Sequence, residues 1–323
     1  MRVNVQLVTY NGEKYIAPLL RSLAAQTYKN WELAVLDNGS EDNTVNTLLS
    51  GLIDFPVSCR LERSKNNDGY AGGHNALYDS GFEYFIVINQ DMTLEPDCFE
   101  KLIGFLDQHR FSATVTPRVM SMDDPSAIDS LGLAVERSGK VSDAAQGKKY
   151  SAELLEKCKA VKISEFCDAN EGYRYAEVFG VSGALFAGRT KAIGERLFSE
   201  NYFAYKEDVD LAWRTRLEGW KNHVHLDAVA FHDRTAGHAA WFSKSEFIRF
   251  HSYRNHLRTI LKNTPFSCAI FWYELKKFVF LLAKDRATLA FAYDDRAMLR
   301  SAYKQRQNQK RRISNLEIKQ WLM

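Results

Sequence analysis

Tyr84-Phe85-Ile86-Val87-Ile88-Asn89-Gln90-Asp91 is a run of apolar side chains closed by three polar ones, and its reading decides the architecture. So short an uncharged run, rich in β-branched residues, reads as a strand buried on both faces, with a carboxylate at its tip. Such a strand requires a sheet covered by helices on each side. Toward the N-terminus, Val3 to Thr9 reads as another buried strand. Ile16, Leu19, Leu20, Leu23 and Ala24 then recur at helical spacing, and Trp31 to Leu36 gives a further strand, completing a βαβ unit. A helix from about Asp42 to Leu49, a short strand near Val57 to Leu61 and a helix around Gly73 to Asp79 continue the alternation up to Tyr84. The expected class is α/β, a mainly parallel sheet flanked by helices. In open sheets of this kind ligands bind beyond the carboxyl ends of the strands. Three polar clusters fall there: Thr9-Tyr10-Asn11-Gly12, Asp37-Asn38-Gly39-Ser40 and Asn89-Gln90-Asp91.

Toward the C-terminus, the pattern predicts a helix from about Pro96 to His109 and a strand near Ser112 to Thr116. Periodicity weakens between Met120 and Ala176, where loops and hairpins are expected. Val178 to Phe186 reads as a strand returning to the core. A helix from Asp208 to Leu217 places Val209, Trp213 and Leu217 on one face and ends at Gly219-Trp220. Asp208 and Asp210 near its start and Arg214 and Arg216 near its end suit the helix dipole. Val224 to Phe231 reads as a closing strand. From Ser243 onward the sequence is helical, basic and aromatic, so the expected organisation is a domain over residues 1–240 and a helical extension over 241–323.

Composition narrows the class. With 46% hydrophobic and 26% charged residues the chain is ordinary globular protein. No apolar stretch approaches the roughly 20 residues a bilayer span needs, because Phe266 to Ala283 is interrupted by Glu274, Lys276 and Lys277. The N-terminus enters Val3-Asn4-Val5-Gln6-Leu7-Val8 without a charged n-region and apolar h-region, so export by a signal peptide is not expected. Cys59, Cys98, Cys158, Cys167 and Cys268 are odd in number and form no CxxC pair, which points to reduced, mostly buried thiols rather than to disulfides or a zinc site. The net charge of +3 hides an asymmetry: from Trp241 onward about 17 Lys and Arg face 6 Asp and Glu, roughly +11, leaving roughly −8 before it. Lys310-Arg311-Arg312 belongs to no recognised nucleic-acid motif, and no nucleic-acid partner is expected.

Five segments now fall into an order. Val8-Thr9-Tyr10-Asn11, Leu36 to Thr44, Asn66 to Asn75, Asn89-Gln90-Asp91 and Tyr205-Lys206-Glu207-Asp208-Val209-Asp210-Leu211 occur as they do in the family 2 glycosyltransferases. Over roughly its first 240 residues the chain resembles the rhamnosyltransferase-like branch of that family, which has a GT-A fold and builds bacterial surface polysaccharides such as O-antigen. The resemblance implies an inverting, metal-assisted transferase that uses a dTDP- or UDP-sugar and a glycan or polyprenyl-linked acceptor. It gives Asp37 a hydrogen bond from the imide N–H of a uracil or thymine ring; an Asx turn would explain the same residue. Thr9 and Asn11 would flank the base or stabilise a turn. Asn67, Gly69, Gly72, Gly73 and Asn75 lie in a segment of small residues that lets backbone approach a ribose or diphosphate, or that forms a plain tight turn. Asn89 and Gln90 complete the donor side, Asn89 standing where the family commonly has an acidic residue.

Asp91 is expected to hold Mg2+ or Mn2+ against the diphosphate, since such ions take oxygen ligands and complete their shells with water and phosphate. His232 matches a histidine that adds a ligand or contacts the diphosphate in relatives; His223, His225 and His238 rank below it. By resemblance Asp208 is the general base and Glu207 orients it or the acceptor, while Asp210 is structural. Gly183 lies in Val181 to Phe186, resembling the segment on the acceptor side, although a crowded core strand would read alike. The basic and aromatic run over Arg249, Arg254, Arg258 and Lys262 and then Phe271, Trp272, Phe278, Phe280 and Leu281 suits either peripheral contact with a membrane or packing on the main domain or on a second subunit in a homo-oligomer. The expected location is cytoplasmic, including the inner face of the cytoplasmic membrane. Two other functions fit the class: a nucleotidyltransferase, whose Gly- and Arg-rich loop after the first strand is missing here, and a noncatalytic sugar-nucleotide-binding scaffold, against which Asp91 and Glu207-Asp208 argue.

Overall fold

Parallel strands at the N-terminal end of the chain set the position of every polar cluster. They are β1 (Val3–Thr9), β2 (Trp31–Asp37), β3 (Cys59–Arg63) and β4 (Tyr84–Asn89), connected by α1 (Glu13–Ala24), α2 (Thr44–Gly51) and α3 (Gly69–Leu77). β1 pairs in parallel with both β2 and β4, in a register that sets Thr9 beside Asp37 and Val8 beside Asn89. The three tips therefore end on one edge of the sheet. The structure is a computed structural model and describes residues 2–163, 174–199, 201–234, 241–265, 267–294 and 296–322. α1 forms as its spacing predicts, burying Ile16, Leu19, Leu20 and Leu23. α3 starts at Gly69, earlier than its periodicity implied, because glycines hide the helical period.

The middle of the chain supplies β5 (Met92–Leu94), α4 (Cys98–Gln108), β6 (Ser112–Ser121), β7 (Ile128–Ser130), β8 (Leu133–Val135), β9 (Val141–Asp143), α5 (Ala152–Lys157) and β10 (Val161–Ile163). The expected hairpin character holds for β8 and β9, which pair antiparallel. Then come β11 (Tyr175–Val178), β12 (Leu185–Arg189), α6 (Thr190–Ile193), α7 (Glu207–Leu217) and β13 (Lys221–His232). The main sheet runs β10-β11-β13-β6-β12-β4-β1-β2-β3. β12 lies antiparallel between β4 and β6, while β13 runs parallel to β6. Val178 to Phe186 is not one strand. β11 ends at Val178 and β12 begins at Leu185, because Gly180 packs its backbone on α7, where an added Cβ would lie 2.2 Å from Ala212 Cβ.

Beyond a 3-10 turn (Trp241–Ser243) the chain is helical: α8 (Glu246–Asn263), α9 (Cys268–Lys284), α10 (Arg286–Asp294), α11 (Arg296–Asn308) and α12 (Asn315–Lys319). Ser245 and Ser267 cap α8 and α9, their hydroxyls accepting from Ile248 N and Ile270 N. α8 is joined to α7 by a buried polar cluster. Asp210 accepts from Lys262 Nζ at 2.9 Å, Asn263 Nδ2 at 2.8 Å and Ser199 Oγ at 2.5 Å. Burial opposes its charge, but Lys262 and Arg214 hold the carboxyl well below its ordinary range. Asp210 is structural, as expected. Further on, Ile318 and Trp321 return to pack with Phe179, Val209 and Trp213. Among the described residues no helix is long and apolar enough to cross a membrane. Cys98 is buried, Cys59 and Cys158 are half-buried and Cys268 is exposed, all free; Cys167 lies outside the described residues.

Candidate functional site

At the β1 and β2 tips the polar side chains hold one another. Thr9 Oγ1 donates to Asp37 Oδ1 at 3.1 Å, and Ser40 donates its backbone N–H to Asp37 Oδ2 at 3.0 Å. The Asp37 carboxylate is fully buried, so the Asx-type turn is present at the position considered for base recognition. Asn11, exposed and in left-handed conformation (φ 45°), accepts from Glu41 N at 2.9 Å. Gln90 uses both ends of its amide on Tyr10: Nε2 donates to Tyr10 O at 3.2 Å and Oε1 accepts from Tyr10 N at 3.0 Å.

The glycine segment builds α3. Asn67 Oδ1 accepts from Gly69 N at 2.9 Å, opening the helix as an Asx turn. Gly69 is left-handed (φ 76°), and a Cβ there would lie 2.3 Å from Phe203 O. Gly73 lets α3 approach β1, since its Cβ would lie 2.8 Å from Val8 Cγ1. Asn75 brackets the Phe198 backbone, donating to its carbonyl at 3.0 Å and accepting from its N–H at 2.8 Å. Gly72 and Asn75 line a separate cavity with Tyr202 and Phe203.

A cleft of about 560 Å³ brings the other candidates together: Asn89, Asp91, Gly183, Glu207, Asp208 and His232 all line it. The end of β4 delivers Asn89 and the turn after it Asp91, the end of β13 delivers His232, and the first turn of α7 delivers Glu207 and Asp208. Preceding α7, Tyr205 and Lys206 are both left-handed, with φ 70° and 73°. Two consecutive non-glycine residues in that region are strained and must be held from outside. Asn255 of α8 does so, its Nδ2 donating to Ala204 O at 2.9 Å and Tyr205 O at 2.8 Å. Gly183 serves the acid pair directly, donating its N–H to Asp208 Oδ2 at 3.1 Å, while Tyr70 OH donates to Gly183 O at 2.5 Å.

Charge in the cleft is shared unequally. Burial, and then the negative charge of Asp208, push Glu207 from the ordinary 4.5 to about 8. Burial also raises Asp208, with Asp143 adding to it. Asp208 accepts from Gly183 N and Val209 N, whereas Glu207 Oε2 is buried without a donor among the described residues. Hydrogen bonds to the charged form favour it, so Asp208 ionises first and Glu207 keeps its proton near neutrality. Burial and the neighbouring acids push Tyr70 well above its ordinary value, leaving it a neutral hydroxyl.

Opposite lies a histidine between two carboxylates. His232 Nδ1 is 2.9 Å from Asp129 Oδ2 and Nε2 is 3.3 Å from Asp91 Oδ1. Burial opposes the charge on this ring, but hydrogen bonds to Asp129 and Asp91 outweigh it and raise His232 to about 9. Arg234 bridges Asp129 Oδ1 at 2.8 Å and Asp143 Oδ2 at 2.9 Å. No group of three His, Cys, Asp or Glu able to cage a metal occurs among the described residues. Asp91 and His232 nevertheless fit a divalent cation in kind. The Asp91 Oδ1 atom is buried 3.3 Å from the His232 Nε2 nitrogen, and a diphosphate with water would complete the shell. A cation there would take the place of the His232 proton.

His223 and His225 lie elsewhere. His223 Nδ1 meets Ser112 Oγ at 2.9 Å and its ring tilts against Phe105, with burial lowering it to about 3. His225 Nδ1 accepts from Asp227 N and Ala228 N, both at 3.3 Å, at the β13 irregularity. His238 lies outside the described residues. Site residues that the sequence did not single out are Tyr70, Asp129, Asp143 and Arg234, together with Lys244, Ile248 and Ser252 at the cleft edge. Arg234 stands two residues after His232, a usable signal. Asp129 and Asp143 sit in the aperiodic stretch, where none existed.

EpsE of Bacillus subtilis (strain 168) is 28% identical over 124 residues, 38% of this chain and 45% of EpsE. YfnE of the same organism, an uncharacterized glycosyltransferase, is 24% identical over 261 residues, 72% of this chain and 64% of YfnE. The chain thus spans less than two thirds of either relative. Among solved structures, S. aureus TarS 1-349 in complex with UDP-GlcNAc superposes with TM-score 0.58 at 16% identity, covering 100% of this chain and 93% of that one. GalNAc-T7 with UDP, GalNAc and Mn2+ gives 0.66 at 11% identity, covering 99% and 57%. The mannosyltransferase PcManGT from Pyrobaculum calidifontis, in complex with GDP-Man and Mn2+, gives 0.54 at 15% identity, covering 95% and 87%. At such identities the likeness is one of fold, the GT-A-like α/β architecture. Residues 5–176 match the Glycosyl transferase family 2 model, more than half of the sequence, and the chain belongs to that family.

Proposed function

We propose that the chain is an inverting glycosyltransferase that moves a sugar, rhamnose or another hexose, from a pyrimidine nucleoside diphosphate to a hydroxyl of a glycan or lipid-linked acceptor in bacterial surface polysaccharide synthesis. One observation carries the reading: Asp91 and Asp208, distant in sequence, line the same cleft. One side of that cleft suits a leaving diphosphate and the other an incoming alcohol. The uridine nucleotides bound to TarS and GalNAc-T7 support a pyrimidine donor, with Thr9, Asn11 and Asp37 on the base side and Asn67, Gly69 and Gly73 where backbone comes close. A Mg2+ or Mn2+ ion held by Asp91 and His232 would offset the charge of the departing diphosphate, a reading that the Mn2+ in two of the solved relatives favours.

The chain's own residues supply the rest. Asp208, ionised ahead of its neighbour and aimed by Gly183 N and Val209 N, takes the proton of the acceptor hydroxyl. Glu207, kept neutral by burial, adds no second negative charge to a cleft that must admit an anionic donor. Tyr70 donates to the carbonyl of Gly183, the residue whose N–H meets the base. Asp208→Asn tests the assignment. UDP- or dTDP-sugars with Mn2+ will raise the melting temperature of this variant as they do that of the unmodified protein, while transfer falls by about 10²- to 10⁴-fold. Near-normal turnover removes Asp208 from the role, and failure of every pyrimidine donor to shift the melt of either protein removes the base pocket.

A further inference from the structure

α9 has two unlike faces. Its inner face is engaged: Ile270 and Leu281 are buried, Glu274 Oε1 lies 2.7 Å from His256 Nε2, and Lys277 Nζ sits 4.9 Å from the centre of the Tyr253 ring. The outer face carries Phe271, Trp272, Leu275, Phe278, Val279 and Leu282, between 36% and 58% exposed. At about 100° per residue these six fall within an arc of about 120°, a ridge about 17 Å long. Single exposed apolar residues are ordinary; a continuous stripe of large ones marks a surface that is covered in use.

The charges beside the ridge say what covers it. Lys276 is exposed beside it, and Lys284 and Arg286 are exposed where α9 ends and α10 begins. The acids of the same stretch face inward: Glu274 is held by His256, and Asp285 accepts from Trp241 Nε1 at 3.0 Å and Arg249 Nε at 2.8 Å. What remains outward is apolar and cationic. A second copy would set two such surfaces face to face, each from a segment of roughly +11. An aromatic and aliphatic ridge flanked by cations matches an acyl boundary under anionic headgroups. We propose that α9 is an interfacial helix that seats the protein on an anionic lipid surface. This goes beyond the catalytic reading and stands whether or not the cleft transfers sugar. α8, which contacts α9 through His256 and Tyr253 and the turn before Glu207 through Asn255, would then hold the cleft one helix away from the docked face.

Co-sedimentation of the full chain with vesicles tests this. The protein will pellet with vesicles of phosphatidylglycerol and phosphatidylcholine in equal parts, and at least about tenfold less with pure phosphatidylcholine or at about 0.5 M salt. Trp272→Ser with Val279→Ser will cut binding to the anionic vesicles by at least about tenfold without altering the thermal melt or the donor-induced shift, both side chains being exposed. Equal binding by this double variant, no binding by the unmodified protein, or a dimer in light scattering that the double substitution converts to monomer would each overturn the proposal.

Discussion

Two adjacent carboxyls, Glu207 and Asp208, share one wall of the cleft and cannot both ionise readily near neutrality. Burial lifts Glu207 to about 8, while two backbone N–H groups favour the Asp208 anion. The pair therefore carries one proton near neutrality, the state in which the proposed base is ionised and its neighbour is not. Above about pH 8 the second ionisation adds charge against the anionic donor, so kcat/KM will fall on the alkaline side; Glu207→Gln will remove that limb, read from a pH–rate profile. Stability follows the same linkage. A carboxyl whose folded value lies above 4.5 contributes stability that is complete below 4.5 and lost as pH rises through about 8. The melting temperature of Glu207→Gln relative to the unmodified protein will accordingly rise between about pH 5 and 8, by an amount reflecting at most a few kcal/mol. At this scale the sequence was legible where side chains terminate elements. Asp91 and Asp208 could be placed because a strand tip and a helix start are set by local pattern. The amides were not: Gln90 and Asn75 each spend both ends on a backbone partner far along the chain, a choice that only tertiary structure makes.

At the scale of elements, α7 is aimed by a strained turn and the turn is held by α8. Tyr205 and Lys206 stay left-handed because Asn255 Nδ2 holds the carbonyls of Ala204 and Tyr205. Asn255→Ala frees two carbonyls and lets the first turn of α7 shift. A displacement near 1 Å costs about 10²-fold in such geometry, so kcat will fall by about 10- to 100-fold while donor affinity, set across the cleft, changes little. Steady-state kinetics separating kcat from donor KM checks this. None of it was readable beforehand, since Asn255 lies in a run whose cations and aromatics dominate the pattern. The strands of the parallel half were readable, because burial on both faces leaves an unbroken apolar run. Val178 to Phe186 misled for the same reason: a crossing segment packed on α7 is as apolar as a strand, and only its glycines, Gly180 and Gly183, betray the break.

Across the whole molecule, the basic helical segment and the acidic α/β body are joined by a buried charged cluster, besides the Asn255 contacts and the packing of Ile318 and Trp321. Asp210 lies under Lys262, Asn263 and Ser199, fully removed from water. Removing Lys262 leaves the buried Asp210 charge with Arg214 as its remaining cation, and Lys262→Met will destabilise the protein by up to about 3–5 kcal/mol. Combining it with Asp210→Asn will recover much of that loss, as a double-mutant cycle by chemical denaturation would show.

The same cluster bears on how the chain is made. The helix carrying Glu207 and Asp208 is synthesised well before Lys262, so a nascent polypeptide that ends short of α8 leaves Asp210 with Arg214 beside it but without Lys262 and Asn263. The α/β body therefore lacks part of its support until the helical segment arrives. On the ribosome the turn before α7 would wait for Asn255 of α8, and the packing on Trp213 for Ile318 and Trp321, so the candidate site would be among the last parts of the α/β body to settle.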